Sequence, residues 1–255
     1  MKRLFRRTLP LLVAILGGGL GYVQFRFPLS YPWPLVVLLV AFSSAVAFYA
    51  VENKKEWRQI VAQIIPTTFF LLAIGASVLL AETVFTKWLI AILLFVIPLL
   101  SLELLYLAYF ESFRYPVNAI SRINIAFVPA ISFLFGVTGN GLHVFLRLSP
   151  LYGLIIFPTA IGVLYFLTSH PTAATLHRLR WAALGAALGM QVAILVFILP
   201  VPLPVHGAIA AILVSTPIRI RRYAYAPTPS KRHAWFEGIT VFIFFLTILL
   251  ISPWA

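Results

Sequence analysis

The sequence predicts an all-α, polytopic transmembrane helical bundle of about nine spans, with a cytoplasmic N-terminus and an extracytoplasmic C-terminus. Three observations predict it. The 255 residues are 62% hydrophobic and 10% charged, and mean hydropathy is +1.03, whereas soluble domains carry about 25% charged and 45–50% apolar residues. Nine apolar stretches follow one another with short connections. When these are threaded as a zigzag, 16 of the 19 Lys and Arg fall on one side. A helix that is apolar all round has no face for water, and in lipid each span must close its own backbone hydrogen bonds, which selects helices.

The stretches are Leu9–Val23, Pro34–Val51, Ile60–Ala81, Trp88–Phe110, Ile123–Val137, Leu151–Leu167, Trp181–Leu199, Val205–Ile218 and Phe236–Ile251. A span needs about 17–25 residues. The first, fifth, eighth and ninth fall short. Leu4 and Phe5 extend the first, and Ser252–Trp254 the last. The basic start of the chain followed by an apolar run imitates a secretory signal. The run ends Gly21-Tyr22-Val23-Gln24-Phe25 without a small-x-small cleavage site, and so reads as an uncleaved anchor.

Orientation follows from the connections. With the N-terminus inside, the inner segments hold Lys2, Arg3, Arg6 and Arg7; Lys54, Lys55 and Arg58; Arg114 and Arg122; Arg178 and Arg180; and Arg219, Arg221, Arg222, Lys231 and Arg232. The outer ones hold Arg26, Lys87 and Arg147. Cytoplasmic loops carry such an excess. A re-entrant Val205–Ile218 would shift the last basic group outside and leave 11 against 8, so the stretch is expected to cross fully. Tyr31, Trp33, Trp57, Trp88, Trp181, Trp235 and Trp254 stand at segment ends, where aromatic rings favour the interface. The net charge of +13 is thereby accounted for without nucleic acid. The expected setting is a multi-pass protein of the cell membrane.

Residues 1–255 read as a single integral membrane domain without a soluble one. The longest connection, Arg219 to His233, has 15 residues, against about 50 for an independent domain. Pro66, Pro98, Pro129 and Pro158 fall within or beside spans, where freed carbonyls find other donors. No internal repeat is visible. Small residues mark candidate packing faces: Gly17 and Gly21 in the first span, and Gly185 with Gly189 as G-x-x-x-G in the seventh. Glycines let helix backbones approach closely, within the bundle or across a homo-oligomer.

Glu103 is the leading candidate for a polar site. It lies seven residues before the inner end of its span, about 10 Å deep. An ionised carboxylate there needs a partner or water. Arg114, Asn118, Arg122 and Asn124 are the expected partners on the same side, and Gln191, mid-way along the seventh span, is a further intramembrane polar candidate. The alternatives for Glu103 are a structural ion pair and a cytoplasm-facing proton, cation or headgroup site. Glu237 opens the last span and complements its helix dipole. Arg219, Arg221, Arg222, Lys231 and Arg232 form a basic, aromatic-flanked stretch suited to anionic lipid headgroups on the cytoplasmic face or to a membrane protein partner.

Several classes are excluded. The six acids are all Glu, and there is no Asp and no Cys. Asp-rich magnesium motifs, aspartyl dyads, disulfides and thiol chemistry are therefore absent. His143, His170, His177, His206 and His233 lie in or beside loops, without a zinc motif. Gly75-Ala76-Ser77 is a bare G-x-S, with no His at comparable depth to serve as its base. No cofactor, metal or catalytic residue is expected. The leading functional reading is a non-catalytic membrane scaffold or complex subunit. A small-solute transporter or its membrane subunit is the alternative, followed by a lipid-active enzyme.

Overall fold

A computed structural model describes residues 2–53, 57–116, 119–147, 149–168, 175–224 and 231–252. The chain is an all-α polytopic bundle. Its helices are α1 (Lys2–Arg26), α2 (Trp33–Asn53), α3 (Trp57–Ser77), α4 (Val84–Phe110), α5 (Ala119–Leu146), α6 (Pro150–Thr168), α7 (Thr175–Ile198), α8 (Leu203–Ala224) and α9 (Lys231–Ile251). Among the described residues, α1 to α8 each contain a segment long and apolar enough to cross a bilayer, and α9 holds the shorter apolar segment Trp235–Ile248. The protein is a multi-pass membrane protein by that measure.

Local sequence explains several boundaries. Thr83 caps α4, its hydroxyl accepting from the Thr86 amide at 3.1 Å, which satisfies one of the orphan donors of a helix start. Pro150 opens α6, where a missing N–H costs nothing. Arg147 follows α5 in the left-handed region at φ 52°, a conformation that ends helices. Pro10, Pro66, Pro98, Pro129, Pro158 and Pro217 lie inside helices that continue through them.

All four short stretches lie within helices longer than their apolar cores, and α9 begins at Lys231, five residues before Phe236. α5 extends past Val137 through Thr138, Asn140 and His143. These polar residues remain helical because they find acceptors inside the protein: the Thr138 hydroxyl returns to the Leu134 carbonyl at 2.6 Å, and Asn140 meets His206. α8 is one continuous helix whose 22 residues rise about 33 Å, enough for a core of about 30 Å. α1 gains its first turns from Leu4 to Thr8.

The helices gather into two compact units, Met1–Phe127 and Val128–Ala255. In the first, α1 packs along α4. Gly17 stands against the Leu94 carbonyl, Gly18 against Phe95 and Gly21 against Ala91. A Cβ at Gly17 would collide with that backbone oxygen, so the glycine allows the close approach. The α3–α4 contact carries a buried Thr67–Ser101 hydrogen bond of 3.1 Å. Phe42, Leu71, Ile74, Leu102 and Leu105 form the surrounding core.

In the second unit α6 packs along α7. Gly162 lies against Ala182 and Ala186, Gly185 against the Tyr165 ring, and Gly189 against Pro158 and Ile161. Tyr165 is fully buried, donates to the Val214 carbonyl at 2.7 Å and stacks on Trp181 with centroids 4.8 Å apart. Gly136 and Gly207 bring α5 against α8.

Candidate functional site

In the first unit the start of α1 and the ends of α2 and α4 meet in a cluster of charged and aromatic side chains. Arg6 pairs with Glu52, and its guanidinium lies 4.9 Å from the Phe110 ring centroid. Tyr49, fully buried, donates to the Arg6 carbonyl at 2.8 Å. The Tyr106 hydroxyl donates to Glu111 at 3.0 Å, and Arg114 donates to the other Glu111 oxygen at 3.2 Å. Tyr109 donates to the Gln63 side chain at 2.8 Å.

Glu103 sits at the edge of this cluster, half-buried, with its carboxylate close enough to the Tyr49 phenol to interact electrostatically. The structure describes none of the expected pairings. Among the described residues Glu103 makes no hydrogen bond or ion pair. Arg114 instead sits in the turn after α4 and reaches back three residues to Glu111. Asn124 donates to the Gln63 carbonyl at 2.7 Å. Arg122 is exposed, and Asn118 lies outside the described residues.

Gln191 is also placed differently. It is exposed on α7 and has no hydrogen bond among the described residues. The buried face of α7 is Gly185, Gly189, Val192, Ala193 and Val196, and Gln191 points away from it.

Sequence reasoning passed over the most buried polar pair of the second unit. His206 is 1% exposed and Asn140 8%. The Asn140 amide lies 3.0 Å from His206 Nδ1, and His206 Nε2 lies 2.9 Å from the Leu199 carbonyl. A neutral imidazole satisfies both contacts: Nε2–H donates to Leu199, and Nδ1 accepts from the Asn140 amide. Leu199 lies just past α7, so His206 also occupies a helix-terminal carbonyl. A cavity of about 20 Å³ beside Asn140 is lined mainly by Gly136, Gly139, Gly153, Phe135 and Phe197. It has room for about one water. The polar run Thr138-Gly139-Asn140 and the prolines before His206 look like loop in the sequence. Pro204 in the first turn of a helix was the available signal.

At the ends of α7 and α8, Arg219 pairs with Glu237. Arg221 lies 4.2 Å over the Trp181 ring and 3.0 Å from His177 Nε2. Arg178 lies 4.3 Å from the Phe166 centroid, and Arg232 is exposed. The side chains of Arg222 and Lys231 lie outside the described residues. Among the described residues no three His, Cys, Asp or Glu side chains gather as a metal site would require.

No family model, curated protein or solved structure matches this chain.

Proposed function

We propose that the protein is a non-catalytic membrane subunit, a scaffold that joins other membrane helices in a complex of the cell membrane. The reading rests on Gln191, an amide exposed on the outer face of α7 within an apolar span. An amide facing lipid gains by meeting a donor or acceptor on another helix, about 0.6 kcal/mol on average. The internal packing agrees with a rigid scaffold. His206, Asn140, Tyr165, Thr67 and Ser101 are turned to one another or to backbone. The orientation is N-terminus inside, on the strength of the 16 basic residues assigned to that face. The partner is a second copy or another membrane protein.

The test is a photo-cross-linker at position 191 in the intact membrane, paired with native mass measurement of the purified protein. A discrete adduct of fixed stoichiometry, weakened in Gln191→Leu, is expected. A monomer that gives no adduct overturns the reading. Glu103, a half-buried carboxylate without a partner among the described residues, favours a second reading as a small-solute transporter. Solute uptake by proteoliposomes that is lost in Glu103→Gln would establish that reading instead.

A further inference from the structure

We infer that residues 4–9, the first turns of α1, form a strap that is hinged at Pro10, latched by Tyr49 and Glu52, and able to swing off the ends of α2 and α4. This stands apart from the complex-subunit reading and lies in the other unit.

The first observation is the hinge. Pro10 lies inside α1 and has no N–H, so the helix loses the rung that would close on the residue four before it. That residue is Arg6, and its carbonyl takes its hydrogen bond from another helix: the Tyr49 hydroxyl of α2 donates to it at 2.8 Å. The backbone of α1 is therefore completed by α2 at the point where it is weakest.

The two sides of Pro10 are held differently. After it, Val13, Ala14, Gly17 and Gly21 are buried, and the two glycines stand against α4. Before it, Leu4, Phe5, Arg7 and Thr8 are exposed. A segment with few buried contacts opens at a lower free energy than the body it adjoins.

The second observation is the latch. Arg6 pairs with Glu52 and lies 4.9 Å from the Phe110 centroid, and Phe5 meets Phe48 edge-on with centroids 5.6 Å apart. The ion pair is made at a single point. Arg6 Nε and Glu52 Oε2 are both buried and make no hydrogen bond among the described residues. A guanidinium and a carboxylate gain most from two parallel bonds. A buried polar atom left unpaired offsets part of what the pair contributes, and opening hydrates both atoms. The closed strap is thus held by contacts that are specific but incompletely satisfied. Opening uncovers Tyr49, which is fully buried, beside the Glu103 carboxylate.

The test uses the full chain in nanodiscs. The chain has no Cys of its own, so spin labels on cysteines replacing the exposed Leu4 and Val51 report the distance between the strap and α2. Wild type should give one dominant distance and a longer minor one. Tyr49→Phe/Glu52→Ala should raise the longer population by about fivefold or more, because a hydrogen bond and an ion pair made only by the closed strap are lost. Adding Pro10→Ala returns an N–H to the Arg6 carbonyl and stiffens the helix. It should bring that population back to within about twofold of wild type. An unchanged distance in Tyr49→Phe/Glu52→Ala would show that these residues do not latch the segment. An equal gain after adding Pro10→Ala would place the hinge elsewhere. Either result overturns the inference. If a variant fails to fold, amide exchange of the unaltered chain decides. The amides of residues 6–9 should exchange together, about tenfold or more faster than those of residues 13–21. Equal protection of the two segments overturns the hinge, as does a smooth gradient through Pro10, which would be fraying of the helix end.

Discussion

Gly185→Ala should destabilise the second unit by about 2–4 kcal/mol, combining overpacking with the loss of a hydrogen bond and a ring contact. A Cβ at position 185 would stand 2.6 Å from Tyr165 Cβ and 2.8 Å from its Cδ1. Carbon atoms rest at about 3.5–4.0 Å, so the ring or the helix must move by about 1 Å. The ring has nowhere to go: its hydroxyl is held by the Val214 carbonyl and its face by Trp181. Overpacking of this kind costs about 1–3 kcal/mol. If Tyr165 yields, its hydrogen bond adds about 0.5–1.5 kcal/mol. Gly19→Ala is the control, since nothing lies within 4 Å of a Cβ there. Helix propensity alone then favours alanine by about 0.5–1 kcal/mol. Reversible unfolding in mixed micelles, followed by helical circular dichroism, measures both. If Gly185→Ala matches wild type, or if Gly19→Ala falls as far, the close approach of α6 and α7 is not what the glycine provides.

Tyr165→Phe should cost about 0.5–1.5 kcal/mol in the same assay, with the ring stack kept. Asn140→Leu leaves His206 Nδ1 buried and unpaired, and should cost about 1–3 kcal/mol. Glu103→Gln should leave stability unchanged or raised, because no partner among the described residues is lost; a drop of about 3–5 kcal/mol would reveal a buried ion pair. Single cysteines at Ser230 and Ala255, in a chain with no natural Cys, should react oppositely with an impermeant thiol reagent in intact cells. Equal labelling would refute the proposed orientation.

Membrane class and helical content were legible in the sequence because they depend on composition and on the length of apolar runs. Lipid removes water as a partner for the backbone, so any apolar run of sufficient length must become helix. The same reasoning located most of α2, α3, α4, α6 and α7. It ended α5 nine residues early and placed His206 beside a loop, since a polar residue in a helix looks like an ending until its partner is known. Asn140 and His206 are 66 residues apart, and no local pattern in either segment announces the other. Glu103 illustrates the converse. Depth in the span was a reason to seek a partner, but the nearby cations had other ones: Glu111 for Arg114 and, beyond the set considered, Glu52 for Arg6. Periodicity could mark Gly17, Gly21, Gly185 and Gly189 as places of close approach. What approaches them, the Leu94 carbonyl, Ala91, Tyr165 and Pro158, follows from which helices are neighbours, and that is decided by packing across the whole unit. The sequence by itself thus determined the solvent, the secondary structure and the excess of positive charge. The tertiary structure alone decided which polar groups satisfy one another and which, like Gln191 and Arg221, are presented outward or held in place on an aromatic bed. Hydrogen bonds and ion pairs act over a few ångströms, and only the folded chain brings residues from distant segments within that range.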